Sequence, residues 1–150
     1  MGEEIERKFL VEKLPDNLEK FPHKEIKQFY TQISEDHEVR YRKKGDKFYY
    51  TEKIGTGINR KENESEITEE EYLGAFENSL GSVEKTRYEI PTDPHIAELD
   101  VYHGKLSGMV TVEVEFDSEE SAELFKIPEW FGREITEDKN YKNKNLALTK

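Results

Sequence analysis

The chain has 150 residues, of which 33% are apolar and 38% are charged, and its formal net charge is −11. Its length suits a single domain spanning residues 1–150, and its 11% of aromatic residues argues against disorder. The negative balance argues against general nucleic-acid binding, and the lack of cysteine excludes disulfides, zinc-thiolate sites and cysteine nucleophiles.

Alternation of apolar and polar residues predicts five strands in the first half of the chain. Gly45 marks a hairpin turn at residues 44–46, and Gly55 and Gly57 mark the next loop. A short helix or loop is expected over residues 14–21. The strands are predicted at residues 4–11, 25–33, 38–43, 47–54 and 59–67.

A helix is predicted after the fifth strand. Thr68 and Glu71 form a capping box at its start, and Gly81 is the expected stop after about residue 80. One apolar stripe at helical spacing consists of Leu73, Phe76 and Leu80. Further strands are predicted at residues 82–90, 96–102 and 109–116, and further helices at residues 119–125 and 140–148. This order predicts the α+β class with an antiparallel sheet.

The run Glu4-Ile5-Glu6-Arg7-Lys8 places charged residues at alternate positions. On a strand, Glu4, Glu6 and Lys8 share one face. Two adjacent carboxylates repel each other unless a cation lies between them, and hard divalent metals bind carboxylate oxygens. A lysine beside them favours an anion. The run therefore predicts a site for a metal-bound anion such as a polyphosphate.

Charged pairs two residues apart recur in the other predicted strands, and Lys53 follows Thr51 at the same spacing. One interpretation is that each pair lies on the solvated face of a sheet. However, these faces are almost purely charged, and each strand carries mostly one sign. The pairs are Arg40 with Arg42, Glu62 with Glu64, Lys85 with Arg87, Glu98 with Asp100, and Glu113 with Glu115.

Rolled into a barrel of about eight strands, these faces would line a lumen wide enough for a small ligand. The apolar faces would point outward, beneath the helices. Basic strands suit a triphosphate, which arginine binds in fork geometry. Carboxylates would repel that anion unless Mg²⁺ or Mn²⁺ bridges them. The cations predicted to bind it are Arg40, Arg42, Lys53, Arg60, Lys85 and Arg87.

The opening run, at residues 4–8, resembles the ExExK signature of CYTH domains, the triphosphate tunnel metalloenzymes. Ordered motifs extend the resemblance over nearly the whole chain, although Phe29 stands where relatives more often have glycine, a change we expect to be tolerated. The further motifs lie at residues 28–30, 39–42, 50–53, 60–64, 85–88, 98–100, 113–116, 130–136 and 141–147.

The resemblance implies an eight-stranded antiparallel tunnel, a divalent metal and a triphosphate substrate. It implies metal binding by Glu4, Glu6, Glu113 and Glu115. It implies phosphate binding by Lys8, Arg40, Arg42, Lys53, Arg60, Lys85 and Arg87. Glu62, Glu64 and Asp100 lie where lumen acids are expected, and with Glu4, Glu6 and Lys8 they complete the implied catalytic set.

The remaining candidate functional residues are mostly interpreted as structural. The histidines show no ligand spacing, and Trp130 and Phe131 are expected to plug the barrel or cover its outer wall. The C-terminal lysines at positions 139, 142 and 144 lie either on a solvated helix or at a closed tunnel mouth, where they offer a cation to the ligand. With no run of 18 apolar residues and no signal-peptide pattern, we expect a cytoplasmic protein without a membrane partner; a homodimer is left open.

The leading hypothesis is metal-dependent hydrolysis of inorganic triphosphate, with nucleoside triphosphates as further substrates. Adenylate cyclase and thiamine triphosphatase are alternatives, but the sequence shows no distinctive adenine-binding feature. A non-catalytic module that binds polyphosphate or nucleotides is the third alternative. The many carboxylates argue against it, because they do not help to bind an anion.

Overall fold

Eight antiparallel strands within the described residues close into a barrel, which confirms the predicted fold class. The structure is a computed structural model that describes residues 2–55 and 59–149. At residues 2–4 and 59 it describes the backbone but not the side chain. Gly57 of the predicted loop therefore lies outside the described residues. The strands are β1 (Gly2–Leu10), β2 (His23–Ile33), β3 (His37–Lys44), β4 (Lys47–Ile54), β5 (Asn59–Ile67), β6 (Gly81–Thr92), β7 (His95–Tyr102) and β8 (Val110–Glu115).

The barrel closes because β1 pairs with two strands along its length. Residues 2–5 pair with β5, and residues 6–10 pair with β8. The order around the barrel is β1-β5-β4-β3-β2-β6-β7-β8, and each pairing is antiparallel. Successive side chains on each strand therefore point alternately into the lumen and onto the outer wall.

The hairpin of β3 and β4 turns at Gly45 and Asp46. Gly45 has a φ of 62°, a conformation that glycine adopts without the penalty of a Cβ atom. The tight turn fixes the pairing register, which sets Arg40 opposite Thr51 on β4. The predicted hairpin thus determines which cations of β3 face the lumen.

The main apolar core lies on the outer wall of the barrel. Leu99 of β7 is fully buried there, and the ring centroids of Phe9 and Phe131 are 4.9 Å apart. Trp130 packs against the same cluster, so the segment after β8 covers the wall as expected. Ala122, on a helix in that segment, is also buried in the cluster.

Three short α-helices are described: α1 (Glu69–Ala75), α2 (Glu119–Leu124) and α3 (Asn143–Leu146). The capping box of α1 is confirmed, since the Thr68 hydroxyl accepts the Glu71 N–H and the Glu71 carboxylate accepts the Thr68 N–H. A further 3₁₀ turn at Leu18–Lys20 lies within the predicted helix or loop. None of the helices in the described part of the chain is long and apolar enough to cross a membrane.

The prediction that α1 runs to residue 80 is wrong. The helix ends at Ala75, a 3₁₀ turn follows at Phe76–Asn78, and Gly81 begins β6. Pairing with β2 prevails over helix extension, because Leu80 N–H already donates to the Tyr30 carbonyl. The predicted apolar stripe is 54–60% exposed at Leu73, Phe76 and Leu80.

The contact between α1 and the barrel is aromatic. The ring of Tyr72 lies 5.2 Å from that of Phe29, which in turn stacks on Tyr41 at 5.3 Å. Phe29 is buried on the outer wall, between the lumen-facing positions of Gln28 and Tyr30. The departure at Phe29 therefore adds apolar packing beneath α1 and leaves the lumen unchanged.

The C-terminal segment, residues 139–149, closes one end of the barrel. Instead of one helix over residues 140–148, it forms a 3₁₀ turn at Lys139–Tyr141 and then α3. Leu146 and Ala147 are buried against Tyr30, Val83 and Tyr102. Of the two predicted placements, the closed tunnel mouth is the one observed.

Candidate functional site

The lumen contains two adjoining compartments. The outer compartment has a volume of about 150 Å³ and is lined by Glu6, Arg40, Arg42, Lys44, Lys53, Glu62, Glu64, Arg87, Glu98, Glu113 and Glu115. The inner compartment, about 50 Å³, lies against the C-terminal segment and is lined by Glu6, Lys8, Tyr30, Glu38, Lys53, Arg60, Glu113, Ile135, Thr136, Tyr141, Lys142 and Asn143. Glu6, Lys53 and Glu113 line both, so they mark the boundary between the compartments.

Cations and carboxylates are paired across the outer compartment. Glu64 Oε2 lies 3.7 Å from Arg40 Nη2 and 3.5 Å from Arg42 Nη2. Lys53 Nζ lies 3.5 Å from Glu62 Oε2. The antiparallel register of β3, β4 and β5 creates these pairs, because it sets residues of opposite sign on neighbouring strands of one wall.

The inner compartment has the same kind of pairing. Arg60 donates to Glu6 Oε1 at 3.1 Å and to Glu38 Oε1 at 3.4 Å. Lys8 Nζ lies 4.0 Å from Glu113 Oε1. In this state of the protein, the predicted phosphate-binding cations therefore hold the lumen acids.

The arginines are crowded as well as paired. Burial and the charges of Arg40 and Arg87 lower the pKa of Arg42 from its ordinary value. Like charges in a desolvated space raise the cost of each further positive charge. An anion placed among these guanidinium groups relieves that cost, so the arrangement favours an anionic ligand.

Asp100 lies at the centre of a buried ion network inside the barrel. Its carboxylate accepts hydrogen bonds from Arg87 Nε at 2.8 Å and Nη2 at 2.9 Å, and its Oδ2 lies 2.8 Å from Lys85 Nζ. Burial alone would raise the pKa of Asp100, but the charges of Arg87 and Lys85 lower it to about 2. The side chains of Lys85 and Asp100 are fully buried, and neither residue lines either compartment. Arg87, which Asp100 contacts directly, does line the outer compartment.

The proposed metal ligands lie on β1 and β8, which are neighbours in the barrel. Glu6 is paired with Glu115 in the register, and Glu6 and Glu113 both line the boundary between the compartments. Burial would raise the pKa of Glu113, but the charges of Lys8, Arg87 and Lys85 lower it. Two carboxylates at one boundary suit a hard divalent cation.

The fourth predicted ligand is Glu4. Its backbone pairs with Arg60 on β5, while its side chain lies outside the described residues. Among the side chains that are described, no three acids or histidines are close enough together to form a preassembled metal site. The metal prediction therefore depends on Glu4, or on rearrangement of Glu115 toward the boundary.

The inner compartment contains residues to which sequence reasoning assigned no role. Tyr30 and Glu38 continue the period-two pattern of Gln28 and Arg40, so extending that pattern would have identified them. Tyr141 and Asn143 belong to the motif at residues 141–147, but strand periodicity could not place them in the lumen, because a distant segment brings them there.

No family model matches the chain. It is 44% identical over 151 residues to an inorganic triphosphatase of Nitrosomonas europaea, covering 97% of each chain. It is 37% identical to an inorganic triphosphatase of Acetivibrio thermocellus, covering 98% of this chain and 94% of that protein.

Solved structures agree with these relatives. The crystal structure of an inorganic triphosphatase has a TM-score of 0.72 and 40% identity, covering all of this chain and 97% of the other. A putative adenylate cyclase of Bacillus halodurans shares the fold with a TM-score of 0.65 at 21% identity, covering 83% of this chain and 87% of the other. Because identity and coverage are both high for the triphosphatases, the chain belongs to the family of these inorganic triphosphatases.

Proposed function

We propose that this protein hydrolyses inorganic triphosphate to pyrophosphate and orthophosphate, with a divalent metal, as a member of the triphosphate tunnel metalloenzymes. One observation carries the proposal: a closed barrel whose two lumen compartments hold paired cations and carboxylates around a shared boundary at Glu6, Lys53 and Glu113. The names of the close relatives support the choice of substrate.

Substrate binding exchanges partners within the lumen. Arg40 and Arg42 release Glu64 and bind phosphoryl oxygens in the outer compartment, while Lys8 and Arg60 bind them in the inner one. Arginine offers donors in a fork that matches these oxygens. Asp100 keeps the Arg87 guanidinium in position through two hydrogen bonds, so it supports substrate binding through Arg87 although it lines neither compartment.

The exchange would leave carboxylates unpaired in a partly dry lumen, which is costly. We propose that Glu4, Glu6 and Glu113, with Glu115, hold Mg²⁺ or Mn²⁺ at the boundary between the compartments. A metal bound there would draw charge from the phosphate chain and so ease attack on phosphorus.

Hydrolysis then requires one water molecule in line with a terminal phosphorus. The water oxygen bonds to phosphorus and gives up a proton, the bridging P–O bond breaks, and pyrophosphate leaves with the bond electrons. A lumen acid such as Glu62 or Glu64 would orient that water and accept its proton. Positioning and charge neutralisation supply most of the catalysis in phosphoryl transfer.

A phosphate-release panel tests the proposal. Triphosphate, ATP, thiamine triphosphate and long-chain polyphosphate are each assayed with Mg²⁺, with Mn²⁺ and with excess chelator, and cyclic AMP is measured in parallel. We expect metal-dependent release that is fastest with inorganic triphosphate. Tight triphosphate binding without release in either metal would instead identify a binding module, and cyclic AMP from ATP would identify a cyclase.

A further inference from the structure

A second cavity lies between the C-terminal segment and the turn that follows β2. Its volume is about 360 Å³, and its charged lining consists of Glu35, Glu137, Lys139, Lys142 and Lys144. Three ammonium groups thus face two carboxylates. We call this cavity the rear pocket.

Lys142 lines both the rear pocket and the inner compartment of the lumen. It is the only residue of the described chain that the two cavities share. A long, flexible lysine side chain at this position can present its ammonium group to either cavity. The rear pocket and the inner compartment therefore meet at a single cation.

The three lysines differ in how they are held. Lys139 Nζ donates to Glu35 Oε1 at 2.7 Å, and Lys144 Nζ donates to the carbonyls of Ser34 and Glu35 at 2.6 and 3.1 Å. Within the part of the chain that the structure describes, the Lys142 ammonium makes no hydrogen bond or salt bridge. Since Lys142 is half-buried, it lacks full hydration as well as a partner.

Two other cations lie near Lys142, together with two carboxylates. Burial lowers the pKa of Lys142, and the charges of Arg60 in the lumen and Lys144 in the rear pocket lower it further. The charges of Glu38 and Glu137 oppose that shift. Lys144 is buried, and its ammonium contacts neutral carbonyls rather than a carboxylate. An anion beside Lys142 and Lys144 would satisfy both ammonium groups at once.

The proposed reaction supplies such an anion. Hydrolysis leaves orthophosphate and pyrophosphate in a lumen whose inner end is closed. The product in the inner compartment could then leave only after the product in the outer compartment. We infer that the rear pocket is a second oxyanion site, which receives orthophosphate from the inner compartment through Lys142 and releases it to solvent. The exit role rests on the proposed function, whereas the binding site does not.

Binding is tested without metal or turnover. The probe is inorganic phosphate, titrated into protein with ¹³C-labelled lysine side chains and followed by NMR. We expect the Lys142 and Lys144 signals to shift together with one affinity. Lys142→Gln should weaken that binding about tenfold or more, the scale of one lost charge-assisted contact. Lys126→Gln is the matched control, because it removes the same charge from an exposed position outside both cavities.

Arg42→Ala separates the two anion sites in the same titration. It removes a cation from the outer compartment, so binding seen at Lys144 should persist within about twofold, since well-separated sites act independently. If phosphate shifts only the lumen signals of Lys8 and Lys53, the rear site is wrong.

Product inhibition tests the exit role. Orthophosphate should inhibit triphosphate hydrolysis by the unaltered protein, and Lys142→Gln should weaken that inhibition by about tenfold. A Lys142→Gln variant that changes only KM for triphosphate, with unchanged orthophosphate inhibition, would place Lys142 in the lumen alone and overturn the exit. If the unaltered protein does not hydrolyse triphosphate, the proposed function fails, and the NMR titration still decides whether the rear pocket binds phosphate.

Discussion

At the scale of single residues, the barrel contains two kinds of charge pair. The pairs that line the compartments are 3.1–4.0 Å long, and some of their acids, such as Glu64 beside Arg42, are partly open to solvent. The pairs around Asp100 are 2.8–2.9 Å long and buried. The first kind can exchange partners with a ligand, while the second kind holds the wall in shape.

Asp100→Asn should therefore act mainly on the stability of the fold. Its effect on any single contact with substrate should be smaller. The change leaves Lys85 and Arg87 as buried cations without their shared carboxylate, which costs about 3–5 kcal/mol when a buried pair is broken. Urea unfolding measures the loss. Glu84→Gln, at an exposed pair with Lys27, is the control and should change stability by less than about 1 kcal/mol.

The Asp100 carboxylate also predicts how the free energy of unfolding changes at low pH. The pKa of Asp100 is lowered to about 2 in the folded state, against about 3.9 for an unfolded chain. Its contribution is therefore present above about pH 4 and is lost as the pH falls toward 2. The free energy of unfolding, measured between those values, should fall more steeply for the unaltered protein than for Asp100→Asn. Equal slopes would contradict the assignment.

Glu6→Gln should lower metal-dependent turnover by at least ~10²-fold, the scale of losing one key electrostatic contact. Glu6 lies at the boundary of the compartments, and the amide keeps the shape of the side chain while removing the charge that is proposed to bind metal. Phosphate release at saturating metal measures the effect, with Glu70→Gln on the exposed face of α1 as control. An unchanged rate would remove Glu6 from the metal site.

At the scale of elements, the C-terminal segment forms the closed end of the barrel. Its attachment is specific: Lys8 donates to the Tyr141 carbonyl at 2.7 Å, and Tyr102 donates to Asn143 Oδ1 at 2.7 Å. Lys105 also donates to the Ala147 carbonyl at 2.7 Å. These contacts join the end of the chain to β1, β7 and the turn after β7, so they couple the closed end to the strands that carry the site.

Gly81→Ala should loosen this closed end. A Cβ at Gly81 would overlap the Ala147 carbonyl, so either β6 or the C-terminal segment has to shift, at about 1–3 kcal/mol for such overpacking. Hydrogen exchange of residues 143–149 should become faster than in the unaltered protein. Gly74→Ala on α1 meets no atom within 4 Å and should instead stabilise the protein by about 0.5–1 kcal/mol. Equal changes in the free energy of unfolding for Gly81→Ala and Gly74→Ala would contradict the predicted overlap with the Ala147 carbonyl.

At the scale of the whole molecule, a chain of net charge −11 is proposed to bind a highly charged anion. The balance of charge inside the lumen differs from that of the whole chain. The outer compartment has six carboxylates and five cations, while the inner one has three carboxylates and four cations. The lumen is thus nearly neutral. When an anion binds the lumen cations, another cation has to neutralise the carboxylates that they leave.

Triphosphate and metal should therefore bind cooperatively. We expect triphosphate affinity to fall at least about tenfold when the metal is removed, and metal affinity to rise by the same factor when a non-hydrolysable triphosphate analogue is bound. Isothermal titration calorimetry measures both with the same analogue. In Glu6→Gln the coupling should shrink, and equal affinities with and without metal would show that the acids do not need replacement partners.

The sequence by itself determined the strands and which residues share a face, because strand periodicity is a local property of the chain. The charge pairs at Arg40 and Arg42 or at Glu113 and Glu115 were therefore predictable, as was the capping box of α1. Tertiary structure alone decided that α1 stops at Ala75, because pairing of β6 with β2 competes with helix extension. It also decided that Lys85 and Asp100 are buried and line neither compartment, and that Lys142 lines both the lumen and the rear pocket. Those outcomes depend on closure of the barrel and on docking of a distant segment, which no local pattern encodes.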